Sequence, residues 1–334
     1  MGRFRSALPV VAALALAGSA LALAAPAAYA EEAPVEEQIA DAFQAIFGQH
    51  PSQRLNHAKG IVAEGTFTAS PEATTLSRAA HLQGGTVPVT VRFSDSTGIP
   101  NIADGDPIAN PHGMSVKFHL PDGSDTDIVI NSLRFFPVAT PVEFRDLLLA
   151  IAATKPDSPK PTKLDDFLAS HPAAPKALAT AQTPSSFATD EYFGVNAFQF
   201  VDKAGKKQPF RYQAEPVSGV SHLSKDEAAK RLPDYLSDEL KERLKKGPVQ
   251  IRLLAQIAEP RDPTNDATIP WPDSRRKVEL GMLTLTTPAP DNEAAQKQLL
   301  FLPGQVTDGI EVSDDPLLPV RDGVYAISFS RRSE

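Results

Sequence analysis

Four short stretches hold residue types that can do chemistry together. RDGVYAISFSRR, residues 321–332, sets Tyr325 four residues after Arg321 and shortly before Arg331 and Arg332. A tyrosine is a poor metal ligand while protonated, and a guanidinium beside it favours the phenolate. On a helix, positions four apart share a face, so Arg321 would stand next to Tyr325. The same residues also read as an edge strand, V-Y-A-I-S-F, with a half-buried tyrosine. RLNHAKGIVAEGTF, residues 54–67, places His57 three residues after Arg54, with Lys59 and two glycines following. His57 reads as an acid–base group or as a satisfied histidine near a strand start. VRFSDSTG puts Arg92 and Ser94 on one side of a strand and Phe93 on the other. DIVINSLRFFPVATPVEF supplies Asn131, Phe135, Phe136 and Phe144; an asparagine there also suits a turn cap, and paired phenylalanines a core.

The elements that must position these residues follow from composition and patterning. The chain has 334 residues, 42% of them hydrophobic and 22% charged, enough for a large core. Its net charge of −8 argues against a nucleic-acid partner. There is no cysteine, so thiolate ligands and disulfides are excluded. Any metal must be held by His, Tyr, Met or carboxylates, and neither a P-loop nor a dinucleotide fingerprint is present. The first thirty residues form a basic start, an uncharged alanine-rich run and the small-residue site AYA, the pattern of a signal peptide cleaved after Ala30. An uncleaved anchor is the alternative. No other stretch approaches the ~18 consecutive apolar residues of a membrane span, so no stable membrane anchor is expected after cleavage. The expected location is outside the cytoplasm: periplasmic, or secreted where there is no outer membrane.

VEEQIADAFQAIFGQH carries apolar residues at helical spacing, with Gly48 as a stop. GIVAEGTFTAS, TVPVTVRFS and GMSVKFHLPDGSDTDIVIN alternate as half-buried strands, the last folding back at Pro121-Asp122-Gly123. TPVEFRDLLLAIAAT is helical. A proline-rich excursion over 155–184 contains the short helix LDDFLASHP. Strands resume in NAFQFVDKAG, KQPFRYQAEP and PVQIRLLAQIAE. SKDEAAKRLPDYLSDELKERLKKG is a helical stretch broken at Pro233, and VELGMLTLTT is the last clear strand. The sum is an α+β fold: an antiparallel sheet long enough to close into a barrel, with helices packed outside it.

In order, R-x-x-H-A-K-G, V-R-F-S, D-x-V-x-N-x-x-x-F-F and R-x-x-x-Y resemble the haem-dependent catalase family. HAKG…GTF resembles its distal-histidine segment. WPDSRRKVELGMLTL and LPG…DGIEVSDDPLLPVRDGVY resemble the segments leading to its haem ligand. The smaller exported members, the catalase-related peroxidases, are the most similar. The resemblance implies one catalase-like haem-binding domain over residues 31–334. Its haem b would lie between the barrel and a C-terminal ligand helix. Tyr325 would be the iron ligand and Arg321 its hydrogen-bond partner. His57 would be the distal acid–base residue, Ser94 would orient it, and Asn131 would help hold the peroxide. Arg54, Arg92 and Arg332 would pair with the haem carboxylates, and Phe136 and Phe144 would line the distal side. The family's G-N-N is I-N here, so Asn131 is placed by its distance to Phe135. Large catalases carry arms and C-terminal helices that this sequence does not show. The implied activity is therefore a peroxidase reducing hydrogen peroxide or organic hydroperoxides with a small organic electron donor, as a monomer or small homo-oligomer. A true catalase, a hydroperoxide lyase or synthase, and a non-enzymatic haem carrier are the competing activities.

Overall fold

The computed structural model describes residues 32–333, so the apolar segment read as a signal peptide lies outside the described residues. Among the described residues no helix is long and apolar enough to cross a membrane. The strands of the main sheet are β1 (Gly60–Ala69), β2 (Thr86–Asp95), β3 (His112–His119), β4 (Asp125–Asn131), β5 (Tyr192–Phe193), β6 (Phe198–Val201), β7 (Lys207–Pro216), β8 (Val249–Ile257), β9 (Lys277–Pro288) and β10 (Ile310–Val312). The main helices are α1 (Val35–Phe47), α2 (Pro141–Ala153), α3 (Lys163–Ser170), α4 (Tyr235–Lys246), α5 (Asn292–Gln298) and α6 (Leu317–Ser333).

Eight strands pair in the ring β8–β9–β1–β2–β3–β4–β5–β7, and β7 pairs back onto β8 from Ile251↔Pro216 to Ile257↔Phe210. Every pairing is antiparallel. Closure leaves the ring without free edges. The seam is thinnest where β4 meets β5 through the single pair Asn131↔Phe193. The additional strands β6 and β10 extend from β7, so β10 is a short strand beyond the last one evident from patterning.

The alternation in β2 explains both the core and the site. Val87, Val89, Val91 and Phe93 point inward and are buried with Met114, Val116 and Phe118 of β3. An eight-stranded barrel is just wide enough for such side chains to fill it. Thr90, Arg92 and Ser94 point outward and are buried as well, at 7%, 4% and 3% exposed. Outside β2, Thr90 meets Glu64 and His119, Arg92 meets Gln296 of α5 and the His57 carbonyl, and Ser94 meets the His57 ring.

The helices α1, α2 and α6 pack on one another as a separate layer. Ile39, Ala42 and Phe43 of α1 pack with Leu148 of α2 and against Val320 and Val324 of α6. The helix starts are specified locally. Thr140 accepts from Glu143 N while the Glu143 carboxylate accepts from Thr140 N, a capping box followed by Pro141 at the first helical position. Arg331 ties α6 to α1, donating to Asp41 and Gln44 at 2.7 Å each.

Candidate active site

The stretch around Tyr325 is helical throughout, which removes the edge-strand alternative. Leu317, Val320, Arg321, Val324, Tyr325, Ser328 and Arg332 recur at steps of three and four and line one cavity. Arg321 Nη2 donates to the Tyr325 hydroxyl at 3.3 Å. Its other terminal nitrogen donates to Asn196 Oδ1, and Asn196 Nδ2 donates to Asp315 Oδ2 at 2.7 Å. Asp315 Oδ1 accepts from Leu317 N at 2.9 Å, at the start of α6. Helix start, Arg321 and Tyr325 are thus one hydrogen-bonded chain. Burial pushes the Asp315 carboxyl above its usual range, against the hydrogen bonds from Asn196 and Leu317.

His57 faces the same cavity from the loop between α1 and β1. Its backbone is left-handed, with φ 56°. Nδ1 is hydrogen-bonded to Ser94 Oγ at 3.0 Å, and Nε2 lies 3.5 Å from Ser96 Oγ. Gly113 makes room for the ring: a Cβ there would come within 3.0 Å of His57 Nδ1 and Cε1 and 2.9 Å of Ser94 Oγ. Burial, then the guanidiniums of Arg92, Arg321 and Arg54 and nearby His112, lower the His57 pKa to about 3. The imidazole is therefore neutral at physiological pH and can accept a proton.

Three arginines converge beside it. Arg54 and Arg332 both donate to the Leu299 carbonyl, the former at 2.8 Å. Arg92 donates to Gln296 Oε1 at 2.8 Å and to the His57 carbonyl at 2.7 Å. Burial and the other two guanidiniums lower the Arg54 pKa, and burial lowers Arg92 to about 9 and Arg332 to about 10. Among the described residues no carboxylate forms an ion pair with any of the three. Buried cations so placed are costly until an anion joins them.

The cavity measures about 380 Å³. Asn131, at the end of β4, lines it while its Oδ1 accepts from Leu133 N at 2.8 Å. This residue therefore caps a turn and borders the site at once. Phe136 and Phe144 line it with ring centroids 5.2 Å apart, whereas Phe135 turns to a separate recess beside Trp271. The donor set fits a haem. The Tyr325 oxygen suits its iron, the three unpaired guanidiniums suit its two carboxylates, and the aromatic and aliphatic lining suits its flat macrocycle.

All ten sequence candidates thus meet at one cavity. Sequence reasoning missed Ser96, Asn196, Gln296 and the Leu299 carbonyl. Ser96 stands two residues from Ser94 in the quoted motif and was within reach of the alternation argument. Asn196 opens a strand segment and carries no motif of its own.

The catalase family model matches residues 37–332. A catalase-related peroxidase of Mycolicibacterium paratuberculosis is 40% identical over 301 residues, covering 89% of this chain and 94% of that protein. One from Synechococcus elongatus is 34% identical, covering 89% and 88%. Among solved structures, a bacterial catalase superposes with TM-score 0.75 at 23% identity, covering 85% of this chain and 58% of its own. Catalase A from Saccharomyces cerevisiae does so with TM-score 0.75 at 22% identity, covering 85% and 62%. These two structures establish the shared barrel-and-helix fold, while the model match and the two peroxidases establish kinship: the chain belongs to the catalase family.

Proposed function

We propose that the protein is a haem b peroxidase that reduces hydrogen peroxide and organic hydroperoxides with a small organic electron donor. Haem b follows from a tyrosine-bearing site in a chain without the C-x-x-C-H of covalent attachment. Arg54, Arg92 and Arg332 hold its carboxylates, Tyr325 its iron, and Phe136 and Phe144 its distal side. When bound, haem supplies the electrons that cleave the O–O bond and recovers them from the donor: ROOH + 2 AH → ROH + H₂O + 2 A•.

The residues handle the proton. With Nδ1–H donating to Ser94 Oγ, Nε2 of His57 keeps its lone pair toward the cavity. Nε2 takes the hydroperoxide proton and returns it to the departing oxygen, a role that contributes ~10²–10⁴-fold. Asn131, its oxygen held by Leu133 N, presents its amide nitrogen to the peroxide. Arg321, fixed by Asn196 and Asp315, holds the Tyr325 oxygen in place.

The observation that carries peroxidase over catalase is the cavity's mouth. Ile151, Leu164, Leu168 and Leu178 line the cavity, and Ile151 and Leu178 are 36% and 49% exposed. An apolar wall that reaches solvent admits organic donors and bulky hydroperoxides. Oxygen evolution and donor oxidation, measured on one preparation at matched peroxide concentration, test this. Donor oxidation is expected to dominate; rapid oxygen release with negligible donor oxidation favours a true catalase. The N-terminal pattern supports export with cleavage after Ala30 and action in the periplasm, as a monomer or small homo-oligomer. Mass spectrometry of the mature N-terminus checks the cleavage.

A further inference from the structure

A second polar cluster sits on the inner face of the strands that carry the His57 cradle. In the β2–β3 register, Ser94 faces Gly113 and the next pair is Asp95↔His112. Alternation sends Ser94 and Gly113 outward to His57 and sends Asp95 and His112 into the barrel end. There they are 1% and 0% exposed. His112 Nε2 lies 3.5 Å from Asp95 Oδ1, and its Nδ1 lies 3.9 Å from Asp190 Oδ2. Both ring nitrogens of His112 and Oδ2 of Asp190 lack a hydrogen-bond partner, and the Asp95 oxygens have none but the Asp104 carboxylate, which Asp95 reaches only while it is protonated. A cluster of buried polar groups with so few partners is costly, and such costs persist where they serve a site.

We infer that Asp95 and His112 are positioning residues for His57: packed side by side inside the barrel, they act as a steric lock on the strand pair whose outer face cradles the histidine ring. The inference rests on the acid–base role proposed for His57.

The charges around the lock set its pH response. Asp95 faces Asp104, Lys59, His112 and, across the sheet, Arg92, with the phenols of Tyr192 and Tyr235 nearby. His112 faces Asp190, which is hydrogen-bonded to His222 at 3.0 Å. Lys59 pairs with Asp104 and, at 2.9 Å, with Asp234. Burial, reinforced by the Asp104 charge, pushes the Asp95 carboxyl up to about 8. It therefore keeps a proton at neutral pH and can donate it to Asp104. Losing that proton sets two carboxylates side by side in the barrel end and strains the β2–β3 pair. Because the folded carboxyl binds its proton more tightly than the unfolded one, stability falls as pH rises from about 4 to about 8.

The test compares haem-loaded wild type, Asp95→Asn, His112→Leu, His112→Gln and His57→Ala by kcat and KM from pH 6 to 10, with melting curves at pH 4 and 8. Wild type is expected to lose ~10-fold or more in kcat over an alkaline limb near pH 8, the scale of a small misplacement of a catalytic group. Asp95→Asn should flatten that limb to about 2-fold or less and melt higher than wild type at pH 8 but not at pH 4. His112→Leu should lower kcat by ~10-fold with KM unchanged, and His112→Gln should restore most of it. A wild-type alkaline limb in Asp95→Asn, a wild-type kcat in His112→Leu, or equal losses in both His112 variants overturns the inference. If His57→Ala itself keeps the wild-type rate, the acid–base reading has failed, and this outcome is distinct from the others. Should His112→Leu not fold, the pH profile of Asp95→Asn decides.

Discussion

The two faces of the β2–β3 pair bury charge in opposite ways. Outside, Arg92 meets Arg54 and Arg332, and among the described residues no carboxylate forms an ion pair with them. Inside, Asp95, Asp104 and Asp190 gather with His112 and Lys59, and His222 reaches Asp190 from the surface. The inner cluster can compensate itself, because a carboxyl can keep a proton. Guanidiniums cannot shed theirs so readily, so the outer cluster is complete only with an external dianion. A buried charge group that its own protein leaves uncompensated marks a ligand site; one that compensates itself does not.

The strongest way to break this contrast is to remove the group that orients the ligand on the outer side. Tyr325→Phe should abolish peroxide-dependent donor oxidation and lower haem occupancy or alter its spectrum. An unchanged absorption spectrum would show that another residue ligates the iron. Next comes His57→Ala, which should still load haem but react ~10²-fold or more slowly. It should also change acid sensitivity. The folded His57 pKa of about 3 lies below the ordinary value near 6.5, so stability falls as pH drops through that window. Removing the ring should lessen the decline in melting temperature between pH 6.5 and 3.

A charge deletion sharpens the contrast. Arg54→Leu should weaken haem binding by ~10–100-fold, the scale of one hydrogen bond to a charged group. The same change should leave the haem-free protein no less stable, because it relieves repulsion with Arg92 and Arg332. Haem titration and apo-protein melting together decide; a destabilised apo-protein would mean that the Leu299 contact outweighs the repulsion. The smallest effect comes from a residue that belongs to neither cluster. Thr140→Ala removes the α2 cap and should cost about 1 kcal/mol, or ~1–2 °C in Tm for a chain of this size, with little change in haem affinity.

The barrel was legible because residues along β2 to β4 alternate cleanly, and alternation reports a buried face directly. The ligand segment was not decided by pattern. V-Y-A-I-S-F alternates as well as it cycles, and what makes it helical is tertiary: Asp315 at its start, and α1 packed along its side. Nor did spacing separate Arg331 from Arg332. The helix turns the first toward Asp41 and the second into the site, a choice set by where α1 lies. The Arg321–Asn196 contact spans 125 residues and depends on the barrel closing. The Leu299 acceptor is backbone and leaves no trace in residue type.

The left-handed backbone at His57 carries a consequence for how such a protein can change. An L-residue held at φ 56° sits ~1–2 kcal/mol above its relaxed conformation, and glycine would occupy the position without that penalty. Random substitution screened for thermostability would therefore favour losing the histidine, whereas selection on peroxide turnover retains it. Thermostability and turnover pull in opposite directions at this one residue, and a more heat-resistant variant changed at position 57 would be expected to have lost its catalytic function.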